Sequence, residues 1–142
     1  MTGLKELLQS FYPGGDNSKK VLKTGEKGEE IAVGFLEGLG YAIVTRNYRQ
    51  RIGEIDIVAQ DGETLVFVEV KTRKNNRYGG PLEAIDIRKQ IKLSRMAQDY
   101  ISRNGLDDSP ARFDVVAILL KSGSEPEIQH LRDAFDFQEY EK

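Results

Sequence analysis

The chain has 142 residues, of which 39% are hydrophobic and 31% are charged, as is typical of a single soluble globular domain with its own core. It has no cysteine and only one histidine, which excludes disulfides, thiolate zinc sites, a cysteine nucleophile and multi-histidine metal sites. A bound metal would therefore have oxygen ligands, which favours Mg²⁺, Mn²⁺ or Ca²⁺. No apolar run approaches the roughly 18 residues of a membrane span, and the first residues lack the apolar core of a secretory signal. We therefore expect a cytoplasmic protein with no membrane partner.

The net charge of −2 conceals an uneven distribution along the chain. The segments 45–53 and 71–77 contain basic residues and no acid, whereas residues 125–142 contain six acids and two basic residues. A basic middle can bind a polyanion locally although the whole chain is acidic. The alternative is that these segments are basic loops that face only solvent.

The element pattern divides the chain into three parts. Residues 1–24 form an appendage, in which apolar side chains at helical spacing predict a short amphipathic helix before a glycine-rich break. Residues 25–121 contain all the strong helix and strand signals and form the predicted domain. Residues 122–142 form an acidic C-terminal segment, in which 128–137 are expected to be an edge strand.

Within the domain the predicted order is αβββαβ, one mixed central sheet flanked by helices. An apolar stripe of helical period begins near Thr24 and ends at the glycines of 38–40. Asp61-Gly62 predicts the two-residue turn of a hairpin, and a long helix is expected over 81–104. The expected strands are 41–48, 54–60, 63–72 and 112–120, the last of which has the apolar run of a buried central strand.

One face of the predicted hairpin gathers carboxylates. With Asp61-Gly62 as the turn, Glu54 lies opposite Glu69, and Asp56 is a diagonal neighbour of Glu69, about 7 Å or less away at Cβ. Like charges so placed destabilise a sheet unless something positive lies among them. Lys71 supplies one positive charge, and a divalent cation would supply the rest. The alternative is a salt-bridge ladder on a solvated face.

The opposite face of the same hairpin is almost wholly apolar and is expected to be core. Side chains alternate between the two faces with period two. This assigns to the core face Ile55, Ile57, Ala59, Thr64, Val66, Val68 and Val70.

These strands also carry a family resemblance. The segments Gly53–Val58 (GEIDIV) and Phe67–Arg73 (FVEVKTR) resemble the PD-(D/E)XK nuclease superfamily. Through the further segments 25–32, 46–48 and 112–116, the chain resembles most closely the bacterial YraN-type family, which is related to archaeal Holliday junction resolvases.

The resemblance covers about residues 25–120 and implies a restriction-endonuclease-like αβββαβ core. It implies a metal-dependent endonuclease that hydrolyses phosphodiester bonds in nucleic acid, in particular branched or damaged DNA. Asp56 and Glu69 match the ligands of Mg²⁺ or Mn²⁺, Lys71 the catalytic lysine, and Glu29 the first-helix acid of the resolvase-like branch. Resolvases act as dimers, so a homodimer is implied by analogy.

The sequence also suggests hypotheses for further residues of the site and for contacts to nucleic acid. The backbone carbonyl of Val70 is a candidate metal ligand, Glu54 is expected to pair with an arginine, and His130 is expected at the surface. Basic side chains after the third strand and on the long helix are candidate phosphate contacts, although a solvated helix face is the simpler explanation of the latter. The candidates are Arg73, Lys74, Arg77, Arg88, Lys89, Lys92 and Arg95, of which Lys89, or its neighbour Gln90, is expected to reach the catalytic face. The alternative functions are a non-catalytic nucleic-acid-binding module and a protein-interaction scaffold.

Overall fold

The computed structural model describes residues 23–74 and 85–139. The helix expected within the N-terminal appendage, and Arg77 in the loop after the third strand, lie outside the described residues. Among the helices that are described, none combines the length and apolar character needed to cross a membrane. The elements are α1 (Thr24–Gly38), β1 (Ala42–Gln50), β2 (Gly53–Asp61), β3 (Thr64–Arg73), α2 (Ile87–Arg103), β4 (Ala111–Leu119) and β5 (Glu127–Leu131).

The strands form one mixed sheet in the order β1-β2-β3-β4-β5. The pairs β1–β2, β2–β3 and β4–β5 are antiparallel, and β3–β4 is parallel. A parallel pair needs a crossover connection, and the connection between β3 and β4 contains α2. The expected αβββαβ order and mixed sheet are therefore confirmed, with β5 added at one edge.

Each face of the sheet has its own apolar core. Ala32, Val33 and Leu36 of α1 pack with the side chains on one face of β2, β3 and β4. Leu93, Met96 and Tyr100 of α2 pack on the other face. The result is three layers, helix–sheet–helix, in which β3 and β4 are covered on both sides, as their long apolar runs require.

The register of the β2–β3 hairpin differs by two residues from the expected one. Asp61 pairs with Thr64 and Val58 with Phe67, so the turn residues are Gly62 and Glu63 instead of Asp61 and Gly62. Gly62 has φ +61°, and hairpin turns favour glycine at a first central position with positive φ. A register shift of two residues does not by itself move a side chain to the other face of the sheet.

The predicted core face was wrong at one position. Ile57 lies in the core on the α1 side, whereas Ile55 lies in the core on the α2 side with Val58. Strict alternation would put Ile55 and Ile57 on the same face. The alternation therefore changes phase at Asp56, which lies between them.

Two predicted boundaries were also wrong. The long helix begins at Ile87 and not at residue 81, because Asp86 is extended and its side chain accepts a hydrogen bond from the Lys89 N–H at 2.9 Å. The C-terminal strand ends at Leu131 and not at residue 137. Beyond β5 the chain crosses to the α2 side, where the Phe135 ring stacks on the Phe113 ring at 4.5 Å between centroids.

A buried carboxylate joins β4 to β5. Asp114 is fully buried, and its oxygens accept hydrogen bonds from Arg112 Nε and the Asp133 N–H, each at 3.0 Å. His130 Nε2 lies 2.8 Å from the same carboxylate, and the His130 side chain is only 9% exposed. The expectation that His130 is a surface residue was therefore wrong, because a buried charge needs partners of this kind.

Gly28 allows α1 to lie directly against β3. A Cβ at this position would be 1.8 Å from Oγ1 of Thr72, whereas a Cβ at Gly25 would have no atom within 4 Å. Gly28 precedes Glu29, so this contact also fixes the distance between Glu29 and the sheet.

We predict that Gly28→Ala lowers the free energy of unfolding by about 1–3 kcal/mol, because the added methyl must push α1 away from β3. Gly25→Ala is the matched control and should cause no loss, since alanine is the better helix former. Urea denaturation of both variants measures the difference. Equal stability of the two variants would contradict the close contact.

Candidate functional site

The site begins where β2 and β3 separate. The last pair of their ladder is Ile57 with Val68. Two residues further along β3, the Val70 N–H donates to Oδ2 of Asp56 at 2.8 Å. The Asp56 side chain therefore occupies the opening between the two strands. Because the N–H and C=O of a strand residue face the same neighbour, we expect the Val70 carbonyl to face this opening too.

Three carboxylates meet at Asp56. One oxygen from each of Glu29, Glu54 and Asp56 lies within 4.8 Å of the other two. The structure thus brings together Glu29 and Asp56, which the resemblance singled out, across two elements that are distant in the sequence. It adds Glu54, for which a salt bridge to an arginine was favoured over a supporting role at the metal site; the salt bridge is present, with Arg49 Nε 3.2 Å from its Oε2.

Asn47 of β1 holds two of these acids. With its NH₂ group turned towards them, its amide donates to Glu29 Oε2 at 3.2 Å and to Glu54 Oε1 at 2.7 Å. Asn47 has φ +53°, a left-handed conformation that asparagine tolerates better than most residues. Sequence reasoning missed this role, because the only signal was the position of Asn47 in a segment that carried the resemblance.

Glu69 lies outside this group of three and faces α2. Its Oε1 is 3.2 Å from Lys89 Nζ, and its side chain is 14% exposed. The neighbouring Gln90 instead donates to the Ile85 carbonyl at 2.7 Å. Lys71 is two residues after Glu69, so it lies on the same face of β3.

The pKa values of the carboxyl groups show how strongly these charges interact. Burial, followed by the charge of Asp56, raises the pKa of Glu69 to about 7, although Lys89 and Lys71 oppose the rise. Burial raises the pKa of Asp56 as well, against the hydrogen bond from Val70. Burial and then Asp56 raise the pKa of Glu29. Burial is the largest cause at all three groups, and the charge of Asp56 adds to it at Glu29 and at Glu69, so Asp56 interacts with acids on both sides of the opening.

An open cleft of about 590 Å³ gives access to the three carboxylates. Its lining includes the basic residues Lys23, Arg46 and Arg49, which we call its basic rim, and the further acids Glu26 and Glu30. Arg46 Nη2 lies 2.6 Å from Glu30 Oε1, so part of the basic charge is already balanced. The cleft can hold a cation among the acids while its rim contacts an anionic ligand.

The other candidate nucleic-acid contacts are spread over two elements. Arg73 and Lys74 are exposed at the end of β3, and Arg88 and Lys92 are exposed on α2. Arg95 is partly buried on α2.

We predict that Glu69→Gln stabilises the metal-free protein increasingly as the pH rises from about 5 to about 8. The folded pKa of about 7 exceeds the ordinary 4.5, so between these values the folded state binds more protons than the unfolded state, and stability falls as the pH rises. Glutamine imitates the neutral acid and escapes this loss, which is on the order of 2 kcal/mol. Urea denaturation in chelator measures it, with Glu63→Gln at the exposed turn as control. A difference between Glu69→Gln and wild type that is constant with pH would contradict the prediction.

Comparison with known proteins identifies the family of the chain. Residues 28–118 match the model of the uncharacterised protein family UPF0102. A UPF0102 protein of Geotalea daltonii is 52% identical over 122 residues, which are 86% of this chain and 94% of that protein. Relatives in Geotalea uraniireducens and Geobacter sulfurreducens are 52% and 48% identical over 79% and 86% of this chain, and over 88% and 94% of their own lengths. The chain belongs to the UPF0102 family.

Proposed function

We propose that the protein is a divalent-metal-dependent endonuclease that hydrolyses phosphodiester bonds in nucleic acid. The observation that carries the proposal is the meeting of Glu29, Glu54 and Asp56 within 4.8 Å, next to a fourth acid with a strongly raised pKa. Close carboxylates repel one another and favour the neutral form. A site that keeps three of them together, with Glu69 near enough to interact with Asp56, is suited to a multivalent cation.

The chemistry of the donor set fits Mg²⁺ or Mn²⁺. The available ligands are carboxylate oxygens, which hard divalent cations prefer, and the orientation of the Val70 N–H supports its carbonyl as an additional oxygen donor. Asp56 would hold the ion from the strand opening, with Glu29 and Glu54 on the α1 side and Glu69 on the α2 side. When bound, such an ion polarises a phosphate and makes a water molecule more acidic.

Side chains of the protein itself would orient the acids and supply positive charge to the phosphates of the substrate. Asn47 orients Glu29 and Glu54 through its amide. Lys71, on the same face as Glu69, would bind a phosphate oxygen and stabilise the negative charge that develops during hydrolysis. The basic rim of the cleft and the exposed cations after β3 and on α2 would bind the backbone on either side of the scissile bond.

The substrate class rests on the resemblance to PD-(D/E)XK nucleases and to Holliday junction resolvases. That resemblance supports branched or damaged DNA as the substrate and a homodimer as the active form. We therefore propose DNA junctions as the first substrates to test.

A second candidate is a nucleic-acid-binding module that does not cleave. The observations that favour it are the ion pairs Lys89–Glu69, Arg49–Glu54 and Arg46–Glu30, which balance several acids without a metal. The two candidates differ in whether bound nucleic acid is cut when Mn²⁺ is present.

We predict that wild-type protein with Mn²⁺ cuts a four-way DNA junction or supercoiled plasmid, and that a chelator abolishes the cutting. Asp56→Ala should lower the rate at least about 100-fold, because the loss of a central ligand removes the charge stabilisation of the metal. Glu63→Ala, at the exposed turn, is the matched control and should keep the wild-type rate. Gel electrophoresis of the products measures each rate. Binding without cutting by the wild-type protein would favour the second candidate, and equal cutting by Asp56→Ala would refute the proposed site.

A further inference from the structure

The first turn of α2 places positive charge where a helix disfavours it. It contains Arg88 and Lys89 and no acid, although the N-terminus of a helix carries partial positive charge and favours acids nearby. Asp86, at the cap, offsets part of this cost. For Lys89 the structure shows an interaction outside the helix that favours a cation at this position, the ion pair with Glu69.

The ion pair between Lys89 and Glu69 joins a half-exposed cation to a largely buried anion. The Glu69 side chain is 14% exposed and belongs to the central strand β3, whereas the Lys89 side chain is 48% exposed. A half-exposed lysine has a long flexible stem, and its ammonium group can turn to solvent without a change in the backbone. Glu69 cannot leave the site, but Lys89 can.

Lys89 also interacts with the centre of the site. Its charge lowers the pKa of both Asp56 and Glu69, against the effect of burial. In the metal-free protein, Lys89 therefore supplies positive charge to the same two acids that the resemblance marks as metal ligands.

We infer that Lys89 is a built-in counter-ion that competes with the divalent metal for Glu69 and contacts a substrate phosphate once the metal displaces it. This inference rests on the proposed function and deepens it. Because a divalent cation and an ammonium group at one carboxylate repel each other, metal binding at Glu69 favours the movement of Lys89 into solvent. The displaced side chain, anchored at the start of α2, stays close to where a phosphate would meet the metal.

Removal of the Lys89 charge should change metal affinity and cleavage rate in opposite directions, which a merely structural role of Lys89 would not produce. Removal of the Lys89 charge eliminates a competitor and should strengthen metal binding, while it removes a phosphate contact and should slow cleavage. If Lys89 only held α2 against the sheet, both properties would weaken together. The opposite directions of the two effects are therefore the diagnostic result.

The test compares Lys89→Met, Lys89→Arg and wild-type protein, with Lys121→Met as the control for loss of one lysine charge at a remote ion pair. Isothermal titration with Mn²⁺ alone, at fixed ionic strength, should show about threefold to tenfold tighter binding for Lys89→Met. Lys89→Arg and Lys121→Met should bind Mn²⁺ like the wild type. At saturating Mn²⁺, Lys89→Met should cut a four-way junction more slowly, and Lys89→Arg should recover part of the rate. Circular dichroism confirms folding, and Lys89→Gln replaces the methionine variant if that variant does not fold.

The outcomes separate this inference from the proposed function. If wild-type protein binds Mn²⁺, Asp56→Ala does not, and Lys89→Met binds no more tightly than wild type, the inference is wrong and the metal site remains. If Lys89→Met binds more tightly but cuts as fast as wild type, the phosphate contact is wrong. If neither the wild type nor Lys89→Met binds Mn²⁺, the proposed metal site and the inference both fail.

Discussion

The hydrogen bond from the Val70 N–H to Asp56 is the interaction on which the site depends. It uses a strand donor that would otherwise bond to a neighbouring backbone carbonyl, and the regular β2–β3 ladder ends beside it. A side chain that satisfies a backbone group in this way is held firmly, because an unpaired buried N–H is costly. The sheet thereby fixes a carboxylate at a gap between two strands, where groups from both helical layers can reach it.

The two sides of this gap differ in the charged groups that they contain. On the α1 side, Glu29 and Glu54 lie close to Asp56 and share the amide of Asn47. On the α2 side, Glu69 meets Lys89. The first side is suited to a cation and the second already contains one. This asymmetry gives the proposed chemistry a direction, with the metal held at the opening between acids of both sides and the phosphate approached by lysines from the α2 side.

Periodic side-chain patterns in the sequence predicted the main features of the fold. Features that depend on individual contacts between residues were missed. Alternation of side chains identified the hairpin, its acids and most of its core, because period two survives a register shift of two residues. It failed at Ile55, since the change of phase at Asp56 comes with a left-handed Asn47 opposite it in β1, which no periodic pattern reveals. The approach of Glu29 depends on the contact between Gly28 and Thr72, and only folding brings these residues together. The reach of Lys89 to Glu69 likewise depends on where α2 begins.

The most direct test of the central claim is the position of a bound ion in crystals grown or soaked with Mn²⁺. Anomalous diffraction locates Mn²⁺ without reference to any assumed ligand. We predict a peak within about 2.5 Å of a carboxylate oxygen of Asp56, shared with acids from at least one side of the strand opening. A fully ordered Asp56 with no anomalous peak beside it, or Mn²⁺ bound only to acids elsewhere on the surface, would contradict a metal centre at this opening.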